Sequence, residues 1–173
     1  MYDIYSNARN DMWRFTLGRN GSRKLITIGL NPSTATQESS DTTVAKVEGV
    51  AMRNDFDGFV MLNLYPVRAT NFNRLPHDVD DEAFSENLNR IEELFDTNPN
   101  SVVWAAWGEN IHARIYFANA ARELFSRLQT YGITWRHFGL LTNSGHPRHP
   151  SRLHYSWSFS DFDIHHYDQI LST

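Results

Sequence analysis

Three short segments of this sequence carry side chains whose types and spacing could do chemistry. In Gly29-Leu30-Asn31-Pro32-Ser33-Thr34, an amide leaves the end of an apolar run and Pro32 stiffens the turn behind it. Asn31 there either caps its own turn, as Asn before Pro does, or holds a water or a substrate. In Leu62-Asn63-Leu64-Tyr65-Pro66-Val67-Arg68, an amide sits inside an apolar strand. Such an amide is costly unless hydrogen-bonded, so Asn63 bonds backbone at the strand end or presents its amide to a ligand. The third segment holds His146 and His149, with His154 nearby, and six of the eight histidines fall between His137 and His166. His-x-x-His on a proline-broken loop lacks the i, i+4 geometry of helical zinc sites and has no acidic neighbour before Asp161, so a catalytic or ligand-facing His149 is favoured over a metal ligand. The alternative is a surface loop with ordinary histidines.

The elements that must position these residues follow from periodicity. Met12–Leu17, a turn at Asn20-Gly21 and Arg23–Leu30 form the pattern of a hairpin, because Asn-Gly readily takes positive φ. Leu25–Leu30, Gly58–Tyr65 and Ser101–Ala106 are nearly continuous apolar runs of strand length, as for strands covered on both faces, and Thr134–Leu141 is a fourth strand. Between them lie helices at about Thr43–Arg53, capped by Asp41 or Thr42, at Asp80–Phe95 and at Ile111–Leu128. Tyr155, Trp157 and Phe159 alternate with serines as in a half-buried strand, a core feature first and a stacking platform second. Strand alternating with helix three times implies right-handed crossovers. The predicted fold is therefore α/β: a three-layer α/β/α arrangement around a central, mainly parallel four-stranded sheet, with an N-terminal hairpin. In such sheets ligands bind beyond the carboxyl ends of the strands, and Asn31, Asn63, the segment 107–110 and His149 all follow strand ends.

Composition bounds the function. At 173 residues, with 40% hydrophobic and 13% aromatic residues, the chain fits one domain spanning 1–173 with a substantial core. Its net charge of −4 provides no overall cationic field, but the stretch from Asp78 to Glu93 holds seven acids and only Arg90; the remainder carries +2 and leaves room for a local nucleic-acid surface. Without Cys there is no disulfide, thiolate zinc site, iron–sulfur cluster or cysteine nucleophile. No signal-like or membrane-length apolar run occurs, which points to a cytoplasmic protein that does not engage a membrane. No cofactor or metal is called for.

Two resemblances become visible at these residues. Leu30-Asn31-Pro32-Ser33-Thr34-Ala35, Asp41-Thr42-Thr43, Asn63-Leu64 with Arg68-Ala69-Thr70, Trp107-Gly108 and Gly145-His146-Pro147 together resemble domain-of-unknown-function family 1643 over nearly the whole chain. That family implies no particular reaction. In addition, Gly29-Leu30-Asn31-Pro32 resembles the water-binding motif of the uracil-DNA glycosylase superfamily. Gly58–Asn63 with Val67-Arg68 resembles the strand whose terminal Asn reads the base, and His149-Pro150-Ser151-Arg152-Leu153 resembles its late His-Pro-Ser-x-Leu motif. This second resemblance implies a uracil-DNA-glycosylase-like fold and hydrolysis of the N-glycosidic bond of a pyrimidine, modified or not, in DNA. Asn31 would orient water, Asn63 would read the base, His149 would stabilise the departing base and Leu153 would fill the vacated stack, with Ser33, Arg68 and Ser151 also binding substrate. Ser33 stands where strict uracil enzymes carry a bulky aromatic, which leaves space near the base C5 position. The alternatives are an enzyme acting on free nucleosides or nucleotides, and a non-catalytic nucleic-acid-binding module.

Overall fold

Hydrophobic alternation along the strands divides the interior into two cores, one on each face of a sheet. The computed structural model describes residues 1–172, and among these the chain forms seven strands and four α-helices. In order they are β1 (Ile4–Ala8), β2 (Trp13–Arg19), β3 (Lys24–Gly29), α1 (Thr42–Arg53), β4 (Gly58–Asn63), α2 (Asp81–Asp96), β5 (Val102–Ala105), α3 (Ile115–Arg127), β6 (Thr134–Phe138), β7 (Phe159–Asp161) and α4 (Ile164–Leu171). The strands form one sheet in the order β1-β2-β4-β3-β5-β6-β7. Pairing is parallel through β4, β3, β5 and β6, and antiparallel at β1–β2, β2–β4 and β6–β7. Ile26, Ile28, Val60, Leu62, Val103 and Ala105 point into the core covered by α2, α3 and α4, whereas Leu25, Phe59, Met61 and Trp104 point into the core covered by α1. Helices therefore cover both faces of a mixed α/β sheet.

Two expectations about the sheet need correction. It has seven strands rather than four; the four parallel strands are its centre, extended by β1 and β2 on one side and β7 on the other. The expected hairpin of β2 with β3 does not form. Neither Asn20 nor Gly21 takes the positive φ that a two-residue hairpin turn requires. Instead the Asp57 carboxylate accepts hydrogen bonds from the Ser22 and Arg23 amides at 3.0 and 2.7 Å, and this tie carries the chain across the start of β4. β4 thus lies between β2 and β3, with Leu17 opposite Met61 and Arg19 opposite Phe59. The approach is close at Gly18, where a Cβ would lie 2.0 Å from the Phe59 carbonyl oxygen, so only glycine fits. The N-terminal hairpin that does form joins β1 to β2 through Arg9, Asn10 and Asp11, all with positive φ.

The helices follow local signals. Asp41 caps α1 by accepting from the Val44 amide, and Asp80 caps α2 by accepting from Ala83, with Asp81 and Glu82 favourably placed in the positive first turn. The expected Ile111–Leu128 helix is interrupted: a 3-10 turn at Glu109–Ala113 ends at an extended Arg114 before α3 begins. Among the described residues no helix is long and apolar enough to cross a membrane.

Candidate functional site

Because β3, β4, β5 and β6 are parallel, their carboxyl ends open on one edge, and a cleft of about 950 Å³ lies there. Asn31 and Ser33 line it after β3, Asn63 at the end of β4, Trp107 to Asn110 after β5, and His149 and Ser151 after β6. The chain ties these exits together: Leu64 and Tyr65 donate to the Gly29 and Leu30 carbonyls, and Ala106 donates to Ile28.

Asn31 is oriented by its own amide group. Its Nδ2 donates to the Pro32 carbonyl at 3.0 Å and to the Ala69 carbonyl at 2.9 Å, which occupies both N–H donors. Oδ1 has no partner among the described residues, so Asn31 offers the cleft a fixed acceptor. Both readings of Asn31 meet here, since the amide braces its turn with one end and is available at the other.

Asn63 is fully buried. With its amide oriented so that both ends find complementary partners, Nδ2 donates to the Leu62 carbonyl and Oδ1 accepts from Arg14 Nη2, each at 3.3 Å. Asn87 of α2 donates to the Asn63 and Leu64 carbonyls at 2.9 and 3.2 Å and fixes the strand end.

His149 precedes a 3-10 turn at Pro150–Arg152 and caps it: the Ser151 amide donates to His149 Nδ1 at 3.2 Å, and Ser151 Oγ lies 2.8 Å from the same nitrogen. A nitrogen that accepts from a backbone amide carries no proton, so neutral His149 bears its proton on Nε2. Burial holds the imidazole pKa down to about 4, although the Asp41 carboxylate opposes the shift. At neutral pH His149 is thus an uncharged Nε2–H donor. Gly108 permits this packing, because its φ is +78° and a Cβ there would lie 3.0 Å from the His149 Cβ.

Two of the residues assigned to substrate binding are used elsewhere. Arg68 does not line the cleft. Its Nη1 donates to the Ser33 and Ala35 carbonyls at 2.7 and 2.8 Å, and its Nη2 donates to Tyr5 Oη and pairs with Asp11 at 3.0 Å. It clamps the loop that carries Ser33. Leu153 is 6% exposed and packs with Val44, Val47 and their neighbours in the α1 core, so it does not project as a free wedge.

His146 also lies apart from the cleft, in a buried chain of hydrogen bonds. Trp107 Nε1 donates to Tyr167 Oη at 2.9 Å, Tyr167 Oη lies 2.8 Å from His146 Nδ1, and His146 Nε2 lies 3.2 Å from His112 Nε2. Burial and the neighbouring His112 lower the His146 pKa. Among the described residues no group of three or more His, Cys, Asp or Glu side chains is arranged to hold a metal ion.

One lining residue was missed at the sequence level. Arg14 follows Trp13 in β2, is 2% exposed, and donates through Nη1 to the Ala35 carbonyl at 3.2 Å. Its Nε has no partner. The signal was present, since a charged residue between Trp13 and Phe15 breaks an apolar run at the start of a strand.

A protein-family model described as a protein of unknown function, DUF1643, matches residues 12–151. No curated protein and no solved structure matches the chain.

Proposed function

The chain belongs to the DUF1643 family of proteins of unknown function, and on that premise we propose that it hydrolyses the N-glycosidic bond of a pyrimidine nucleoside unit. The observation that carries this reading is the pairing, in one cleft, of an unpartnered acceptor on Asn31 with a neutral Nε2–H donor on His149. Breaking the bond between C1′ and N1 sends the bonding pair to the base and leaves an oxocarbenium-like sugar. Such an electrophile needs a positioned water more than a strong base, and Asn31 Oδ1 is suited to orient that water by accepting a hydrogen bond from it. The water oxygen adds to C1′, its surplus proton passes to solvent, and the departing base is protonated afterwards. His149 Nε2–H donates to a base oxygen as negative charge develops there. Asn63 stands buried behind the cleft floor and acts through Arg14, whose Nη2 donates to its Oδ1, and Ser33 leaves room for a C5 substituent.

The burial of Leu153 favours a free nucleoside or nucleotide over a base flipped from duplex DNA, because no apolar side chain from this motif is available to fill the vacated stack. Base release from free pyrimidine nucleosides and nucleotides, and from single- and double-stranded oligonucleotides carrying uracil or C5-modified pyrimidines, tests the proposal. Asn31→Ala and His149→Ala should each lower turnover by about 10²- to 10³-fold, the typical cost of one positioned donor or acceptor. Release of no base from any of these by the wild type would refute it.

A further inference from the structure

A bulge in β2 places Arg14 and Asn63 on the same side of the sheet: Ser6 pairs with Thr16 but Asn7 with Arg14, so the alternation shifts at Phe15 and Arg14 faces the α1 side, as Leu17 and Met61 do. Trp13 and Phe15 point into the core beneath α2 and α3, so Arg14 between them points to the α1 side; Leu62 likewise points to the α2–α3 side and Asn63 to the α1 side. β2 runs antiparallel to β4, so its first residues lie at the carboxyl edge of β4. A guanidinium therefore reaches the cleft floor beside the amide that ends β4.

Among the described residues no carboxylate pairs with Arg14 directly, although Asp41 and Asp11 act on it through space. Of the other charged side chains lining the cleft, Asp41 and Glu109 balance Arg148 and Arg152, which leaves Arg14 as the excess. Both carboxylate oxygens of Asp41 accept backbone amides, from Ala35 and Val44. The nearby Arg68, which shares the Ala35 carbonyl with Arg14, is matched by Asp11. Burying a cation with its Nε unsatisfied is expensive unless a ligand completes its set of partners. Burial draws the Arg14 pKa down only to about 10, so the group is charged at neutral pH.

We propose that Arg14 is the anion-recognition residue of the cleft and that the ligand group seated beside Asn63 is a delocalised oxyanion. The chemical class rests on the reading given above: for a pyrimidine ligand, the anion is the ionised base. A full positive charge at the floor then complements the hydrogen bond from neutral His149, and the cleft favours the base anion over the neutral base.

Calorimetric titration of the whole chain at pH 7 with uracil, with barbiturate and with inorganic phosphate tests this. Uracil and barbiturate share a pyrimidine ring, but only barbiturate is ionised at that pH. The wild type should bind barbiturate about 10- to 100-fold more tightly than uracil, the range expected for a charge-assisted hydrogen bond. Arg14→Gln should abolish the preference, and Arg14→Lys should keep part of it through the retained charge. The wild-type comparison needs no variant and stands even if Arg14→Gln fails to fold. Equal wild-type affinity for the two pyrimidines, a preference that persists in Arg14→Gln, or binding of neither anion would overturn the proposal. Phosphate binding that depends on Arg14, without binding of either pyrimidine, would uphold the anion site and refute the N-glycosidic reading.

Discussion

Lowering the pH should expose the cost of keeping His149 neutral. The ordinary His pKa is about 6.5, and burial in the cleft wall holds it at about 4. The unfolded chain therefore binds a proton between these values that the folded chain refuses. The contribution of His149 to stability is complete above about pH 6.5, is lost progressively as pH falls toward 4, and is constant below that. At about 1.4 kcal/mol per pH unit, the gap implies a loss of about 2.5 kcal/mol between pH 7.5 and pH 4.5. Part of the ring faces the open cleft, and screening there brings the expected loss to between about 1 and 2.5 kcal/mol. His149→Gln replaces the imidazole with a group that does not titrate. Urea unfolding of both proteins at the two pH values isolates the residue, because His146 and the carboxylates titrate in both. The wild type should lose between about 1 and 2.5 kcal/mol more than His149→Gln on acidification. Parallel losses would show that His149 protonates freely in the folded state and would refute the argument for a neutral Nε2–H donor.

Three further outcomes are expected. Asn31→Asp should destabilise the fold by about 1–3 kcal/mol, more than Asn31→Ala does, because its carboxylate would face the Pro32 and Ala69 carbonyls that now accept from Nδ2; urea midpoints rank the two variants. Leu153→Ala should cost about 2–5 kcal/mol in urea unfolding, as for other truncations of buried leucine, and should not change the ratio of activity on duplex to activity on single strands. Tyr167→Phe removes the acceptor of Trp107 Nε1 and the partner of His146 Nδ1, and should lower stability by about 1–3 kcal/mol, read from thermal or urea unfolding.

What could be read from the sequence was what local physics decides. The apolar runs of β3, β4 and β5 and the periodicity and caps of α1 and α2 needed only neighbouring residues, and their boundaries fall close to expectation. The convergence of Asn31, Asn63 and His149 followed from topology alone, because parallel strands share one carboxyl edge. What was not legible depends on distant partners. Asn20-Gly21 carries a hairpin signature, yet the Asp57 carboxylate and the close approach at Gly18 route the chain so that β4 intervenes. β1 and α4 span only five and eight residues, a short window over which to read a period. The tie of Arg68 to Asp11 and the burial of Leu153 likewise arise from tertiary contacts that a motif resemblance does not encode.

The carboxyl edge is legible in the sequence, but the charge of Arg14 at its floor is not. A strand paired antiparallel to either β3 or β4 would deliver its first residues to this edge, so the wrong partner for β2 did not hide the residue. It was hidden because a single Arg near the start of an apolar strand ordinarily extends its charged end into water. Here α1 and the Ser33–Ala35 loop close over the α1 side of the sheet, and Arg68 clamps that loop to the β1–β2 hairpin through Asp11. Asp11 pairs directly with Arg68 and reaches Arg14 only through space. The same contacts that remove Arg68 from the cleft therefore leave Arg14 charged and unpaired at its floor.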